Sequence, residues 1–267
     1  MLLAELPESE ASGEKARIYA EMRRLGGVPM VALIFRHLAS IPGGIEWMWA
    51  AMGPVWKIGR LQEAAWRVAR DAQLEPIAPM PRAALSAMGI DERAMNEIRV
   101  VVDAYNLANP VNLLTVTCLA RLLDGAKARV PLEERAWNPP TAPGPLVPMI
   151  DVQTMPPEVA ALLDLVAAPG NDGGPRVIQS LYRHFGHRPA FLALLVTILL
   201  PRFRDGTIEK SVVAIRAEMD KVADAIVPSL AATPAPDPAI GTVLQRFRSV
   251  IPQMIVVGAL IERALPP

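Results

Sequence analysis

One cysteine, Cys118, stands among 267 residues, so the chain has no internal disulfide, no Cys-x-x-Cys redox pair and no cysteine zinc site. Its neighbours Val116 and Leu119 set it in an apolar run, where it reads as a buried structural thiol. Aromatic residues are scarce too. They make up 5% of a chain that is 52% hydrophobic, so the core must be aliphatic, a mixture that favours helix. Neither sign of charge is in excess: 27 Lys and Arg face 27 Asp and Glu, with no basic stripe for phosphates, and nucleic acid is not an expected partner. Long apolar runs are missing as well. The most apolar stretch, 190–200, is about half of what a bilayer requires and ends at Pro201-Arg202, so it reads as a buried core helix and no membrane partner is expected. Glu5, Glu8 and Glu10 occupy the place of a basic n-region, which argues against a secretory signal and for a cytoplasmic location. Gly-x-Ser-x-Gly, His-Glu-x-x-His, Walker and Gly-x-Gly-x-x-Gly motifs are all absent, which disfavours serine triads, zincins and nucleotide enzymes.

What the chain does have is helical periodicity punctuated by glycine and proline. Apolar positions recur at helical spacing over 14–25, 30–38, 46–56, 61–73, 91–106 and 110–123, and the runs stop at signals such as Gly26-Gly27 and Pro42-Gly43-Gly44. The last of these runs is expected to begin as a new helix at Pro110, a residue tolerated in a first turn. No stretch alternates like a strand. From Pro131 to Pro157 the texture changes, with Pro131, Pro139, Pro140, Pro143, Pro145, Pro148, Pro156 and Pro157 crowding a segment of little periodicity, as in a semi-rigid linker.

Beyond that linker the first half returns. At an offset of 147, Gly173-Gly174 falls on Gly26-Gly27, Arg183-His184 on Arg36-His37, Pro189 on Pro42, Pro201 on Pro54 and Gly206 on Gly59. Chemistry persists between these identities, with Tyr182 facing Phe35 and Phe203 facing Trp56. At an offset of 142, Phe247 falls on Tyr105, Pro252 on Pro110, Arg263 on Arg121 and Leu265 on Leu123. The expected fold is therefore all-α, a pseudo-dimer of two homologous helical repeats, 1–130 and 158–267, joined by a proline-rich linker, 131–157, with a cleft between the repeats.

All three histidines, His37, His184 and His187, lie in or just after the repeated Arg-His helices, which favours a role in the shared fold. No metal site is expected, because the sequence places no carboxylates beside them. Where one copy has been adapted, the two should differ, and two places do. Residues 105–114 carry Asn109 and Asn112 where the second copy has Ile251 and Met254, and buried amides need partners, a ligand among them. Asp172, within Gly170-Asn171-Asp172-Gly173-Gly174, lies opposite Leu25. It reads either as an N-cap or turn residue, or as a general base whose pKa rises in a partly dry cleft.

Leu25-Gly-Gly-Val-Pro, Leu33-Ile-Phe-Arg-His-Leu-Ala, Ile41-Pro-Gly-Gly, Asn109-Pro-Val-Asn-Leu-Leu and Ile251-Pro-Gln-Met-Ile-Val together resemble the group I 2-haloacid dehalogenases over nearly the whole chain. The resemblance implies an all-helical pseudo-dimer and a hydrolysis without cofactor or metal, acting on a small-molecule carboxylate substrate; a homodimer is compatible with it. It implies that an aspartate, here Asp172, activates water for direct attack on the halogen-bearing carbon, and that an asparagine, Asn112 or Asn109, places the water. Substrate contacts are expected from Phe35 and Leu38, where the family has Trp and Phe, from Asn171, where it has serine, and from Tyr105. Losing the family indole removes an N–H donor for halide or carboxylate. The alternative on the same scaffold is a non-catalytic or diverged small-carboxylate binding protein. Helical alkylhydroperoxidase-like redox chemistry, to which the scaffold is distantly similar, needs paired cysteines that Cys118 alone cannot supply.

Overall fold

The computed structural model describes residues 4–126, 130–167, 178–231 and 234–267. Asn171 and Asp172, with the surrounding glycines, lie outside the described residues. The described chain is all-helical, as expected, and contains no strand. In order, the helices are α1 (Gly13–Gly26), α2 (Leu33–Ser40), α3 (Gly44–Lys57), α4 (Arg60–Asp71), α5 (Arg82–Ala87), α6 (Glu92–Leu123), α7 (Pro157–Val166), α8 (Ser180–Phe185), α9 (Pro189–Arg204), α10 (Thr207–Ile226) and α11 (Ala239–Ala264). Among the described residues no helix is long and apolar enough to cross a membrane.

One expectation fails at Pro110. The two runs on either side of it form a single helix of 32 residues, with Pro110 inside. A proline in a helix interior forfeits only its own N–H bond and crowds the carbonyl four residues back. The apolar faces on both sides of Pro110 are buried, from Ala94 through Val102 and from Val111 through Leu119, and that packing outweighs the lost bond.

Packing divides the chain into two compact units: Met1–Ala72 with Leu107–Pro143 and Ala214–Pro252, and Gln73–Asn106 with Gly144–Val213 and Gln253–Pro267. In the first unit, α1 and α2 both pack on α3, and α3 packs on α4. Helix α3 is buried nearly all round, Ile45, Trp47, Met48, Trp49, Ala51, Met52, Val55 and Trp56 included, as a helix with neighbours on several sides must be. Helix α4 instead buries one stripe, Leu61, Gln62 and Ala65. In the second unit, α7 and α8 pack on α9, where Phe185 and Phe191 meet edge to face at 5.2 Å between ring centroids. Glu97 there pairs with Arg188 at 2.5 Å and Arg93 at 3.1 Å, which holds its carboxyl below the usual range.

The proline-rich stretch has no helix from Val130 to Pro156, yet much of it is fastened down. In the first unit, Arg135 donates to the Ile58 carbonyl at 2.7 Å and pairs with Glu63, while Trp137 stacks near Trp66 at 6.1 Å and donates to the Leu25 carbonyl at 3.4 Å. Two glycines make this docking feasible. Gly27 caps α1 at φ 62°, and a Cβ there would come within 2.6 Å of the Pro140 ring. Gly59 precedes α4 at φ 69°, and a Cβ there would overlap the Trp137 indole. Gly59→Ala is therefore expected to lose about 1–3 kcal/mol of stability, read by urea unfolding, because the left-handed backbone is strained for alanine and the indole is displaced as well. An unchanged unfolding midpoint would mean that Trp137 is not seated there.

Candidate active site

The buried polar residues of the first unit cluster on α6 and α4. Asn109 and Asn112 are 7% and 5% exposed, Thr115 and Gln62 fully buried. Thr115 satisfies its hydroxyl by donating to the Val111 carbonyl at 2.7 Å. Gln62 donates to the Leu25 carbonyl at 3.2 Å and to the Trp56 carbonyl at 3.0 Å, which ties the ends of α1 and α3 to α4. Trp66 donates to the Leu107 carbonyl at 2.9 Å and so tethers α6 just before its Asn-Pro segment.

Asn112 faces a small cavity of about 20 Å³. Its walls are Met22 and Gly26 at the end of α1, Val28 to Ala32 in the following loop, Phe35 on α2, Trp56 on α3, and Leu107, Ala108 and Val111 beside Asn112 on α6. Phe35 and Trp56 meet edge to face, with centroids 6.2 Å apart and planes at 84°, and Trp49 adds a second edge contact to Trp56 at 6.1 Å. Buried donors are left over around this cavity. The Trp56 Nε1–H and the Asn109 Nδ2 amide have no hydrogen-bond acceptor among the described residues, an uncommon condition for buried polar atoms. No titratable side chain lines the cavity among the described residues. Its lining thus brings the Asn112 amide and the Trp56 indole together in an apolar setting, which suits a water molecule and supplies no base of its own.

Of the residues nominated from the sequence, Phe35 and Asn112 share this cavity. Asn109 is buried but is not among its lining residues, and Leu38, 0% exposed, is packed inside α2's core face away from the lining. Tyr105 belongs to the second unit, where its ring stands edge-on to His184 at 5.6 Å. The sequence does not single out Trp56 as a site residue. The signal for it was present: it lies opposite Phe203 in the repeat, an indole N–H facing a ring that has no donor.

The histidines serve backbone anchoring. In the second unit His184 Nδ1 donates to the Val147 carbonyl at 2.6 Å, His187 Nε2 to the Pro148 carbonyl at 2.9 Å, and Arg183 to the Ile150 carbonyl at 3.0 Å. In the first, His37 Nδ1 donates to the Ala4 carbonyl, while the Arg36 carbonyl accepts from Leu6 N at 2.9 Å. Each Arg-His pair therefore holds an extended segment by its main chain. Burial pushes the His184 pKa down to about 4, partly opposed by the Val147 hydrogen bond. A neutral buried histidine with a lowered pKa contributes stability that is present above its ordinary value near 6.5 and is lost as pH falls toward 4. Wild-type Tm is expected to fall by several degrees across that window. His184→Gln, which keeps an N–H donor and cannot be protonated, should flatten the decline, and an equally steep decline would remove His184 as its source.

Comparison with known proteins bears out the resemblance read from the sequence. No protein-family profile matches the chain. A "2-haloacid dehalogenase, configuration-inverting" of Alcaligenes xylosoxydans xylosoxydans is 33% identical over 171 residues, 61% of this chain and 57% of that protein. An "(R)-2-haloacid dehalogenase" of Rhizobium sp. (strain NHG3) is 27% identical over 125 residues, 45% of this chain and 48% of that protein. The chain thus spans about half the length of the curated relatives it matches. In structure it is similar to a D-2-haloacid dehalogenase solved in complex with L-LA, with a TM-score of 0.79 at 18% identity over 98% of this chain and 96% of the other. A mutant of a D-2-haloacid dehalogenase in complex with D-2-CPA matches with a TM-score of 0.75 at 19% identity over 99% and 96%. These structural matches establish the fold.

Proposed function

We propose that this chain, which resembles the 2-haloacid dehalogenases in sequence and in fold, hydrolyses a small 2-halocarboxylic acid. Water and the haloacid give the 2-hydroxy acid, halide ion and a proton, with the carbon inverted once because the water attacks from the side opposite the halogen. Asp172 takes the proton from the water, and the Asn112 amide places that water by hydrogen bonding. No ester with the protein forms. The observation that carries the reading is the buried Asn112 amide facing a small cavity walled by Phe35 and Trp56, in a chain 33% identical over its matched part to a configuration-inverting 2-haloacid dehalogenase. The two-copy origin read from the sequence belongs to the same proposal. It is supported by α4 and α10 each starting just after a glycine of positive φ, Gly59 and Gly206, and by Pro110 and Pro252 each lying inside a long helix.

The test is halide release from D- and L-2-chloropropionate, with chiral analysis of the lactate formed. Turnover with inversion is expected. A single turnover in ¹⁸O water should give fully labelled product, since direct attack draws its oxygen from solvent and an ester intermediate would deliver an unlabelled carboxylate oxygen first. Binding of small carboxylates without any halide release would instead identify a non-catalytic carboxylate-binding protein.

A further inference from the structure

We propose that the second unit carries a further site of its own, for a short-chain carboxylate, in the cavity between the start of α6 and the turn from α8 to α9. It shares no lining residue with the Asn112 cavity. Its volume is about 190 Å³, and a cavity of roughly 150 Å³ holds a benzene molecule, so an acid of about six non-hydrogen atoms fits. The floor is apolar and buried, formed by Ile98, Val101 and Phe185. One wall is fixed in advance, because His184 and His187, both lining the cavity, hold the Val147 and Pro148 carbonyls at 2.6 and 2.9 Å.

Charge selects the occupant. Arg93 and Arg188 line the cavity and share one carboxylate, Glu97, which leaves one positive charge in excess among the three. An ion-pair clamp needs only one cation for each carboxylate. Each guanidinium spends one donor on Glu97 and has no other acceptor among the described residues, so a second carboxylate has N–H groups to meet in the paired geometry that guanidinium favours. Arg188 is the anchor, since its side chain is 32% exposed against 83% for Arg93. The repeat gives an independent argument. At the offsets of 147 and 142, Phe185 falls opposite Leu38, Ile98 opposite Ile240 and Val101 opposite Val243, whereas His187 falls opposite Ser40, Arg188 opposite Ile41, Arg93 opposite Ala235 and Glu97 opposite Ala239. The apolar floor is common to both copies and the charged rim belongs to one, so the shared fold does not require the rim.

Two measurements test the site, with probes that carry no halogen at carbon 2. Crystals of the full chain soaked in 3-bromopropionate should show an anomalous bromine peak over Ile98, Val101 and Phe185, with the carboxylate in hydrogen-bond reach of Arg188. No peak there overturns the proposal. In solution the three histidines report by ring NMR at fixed pH and ionic strength. Butyrate should shift the His184 and His187 signals saturably and leave His37, which occupies the matching place in the first copy, unmoved. Arg188→Gln is expected to raise the butyrate Kd read from those shifts tenfold to hundredfold, the range of a hydrogen bond to a charged group. Shifts of equal size and concentration dependence from butanol would mean an apolar void, from sulfate an inorganic-anion site, and at His37 a nonspecific effect; each overturns the carboxylate site, as does an unchanged Kd in Arg188→Gln. If that variant does not fold, the bromine peak and the ranking of butyrate over butanol and sulfate in the unaltered protein decide. Haloacid turnover enters none of these outcomes, so its absence would refute the dehalogenase reading and leave this site standing.

Discussion

Asp172→Asn is expected to lower kcat for 2-haloacid hydrolysis by about 10²–10⁴-fold, the usual contribution of a positioned general base. The substitution separates the two readings of Asp172 because they respond to it oppositely. Asparagine is as good an N-cap and turn residue as aspartate, so a merely structural Asp172 would tolerate the change with little effect on either Tm or activity. A base would not, since an amide cannot accept the proton that leaves the attacking water. Loss of turnover with an unaltered thermal melt is therefore the expected result. A second signature accompanies it: the limb of the pH profile in which kcat falls as a base becomes protonated should be present in the unaltered protein. If Asp172→Asn turns over haloacid at the normal rate, the mechanism is wrong even if the family resemblance holds.

Asn112→Leu is expected to cost about 10²-fold in kcat/KM, comparable with the removal of one preorganised donor from other active sites. Leucine keeps the branched heavy-atom shape of asparagine, and the matching position of the second copy carries the larger apolar Met254, so the fold should accept it. Asn109→Leu provides the comparison. Its Nδ2 amide is buried with no acceptor among the described residues, and removing such a group is expected to leave stability unchanged or raise it by about 1 kcal/mol, with activity altered only a few-fold. The sequence left these two asparagines as equal candidates for holding the water. Greater loss of activity from Asn109→Leu than from Asn112→Leu would reverse the assignment made from the cavity lining. A double-mutant cycle between Asp172 and Asn112 adds a direct measure: non-additive losses mean that the two side chains act on one water, and additive losses mean that they do not.

Particular residues show how far sequence reasoning reached into the site. Asn112 stood out because the other copy is apolar there, and the structure gives it a cavity wall. Phe35 was nominated through the family resemblance and shares that cavity. Trp56 does not stand out in the sequence because its partner in the repeat, Phe203, is also aromatic. The difference that matters is one N–H, which is visible only when the indole is found buried without an acceptor. Leu38 marks the converse case: it sits on the expected helix, but three residues on from Phe35 it is fully buried outside the lining. A turn of helix moves a side chain to a neighbouring surface, and which surface borders a void depends on the elements packed against it.

What the sequence determined by itself is the all-helical class and, within a few residues, the spans of α1 to α4. Apolar residues at helical spacing and punctuation such as Gly26-Gly27 and Gly59 act locally, through backbone freedom and the need to bury one face. The Arg-His pairs were legible as fold-supporting for the same reason, since both occupy matching places on short helices. The tertiary structure alone decided that α6 runs unbroken through Pro110, that Trp137 and Pro140 lie against Gly59 and Gly27, and that Asn112 and Trp56 come to one void. These outcomes depend on contacts between residues as far apart in the chain as Trp56 and Asn112. Burial there can override a local proline signal or leave a donor without an acceptor, and neither result is written in any single stretch of sequence.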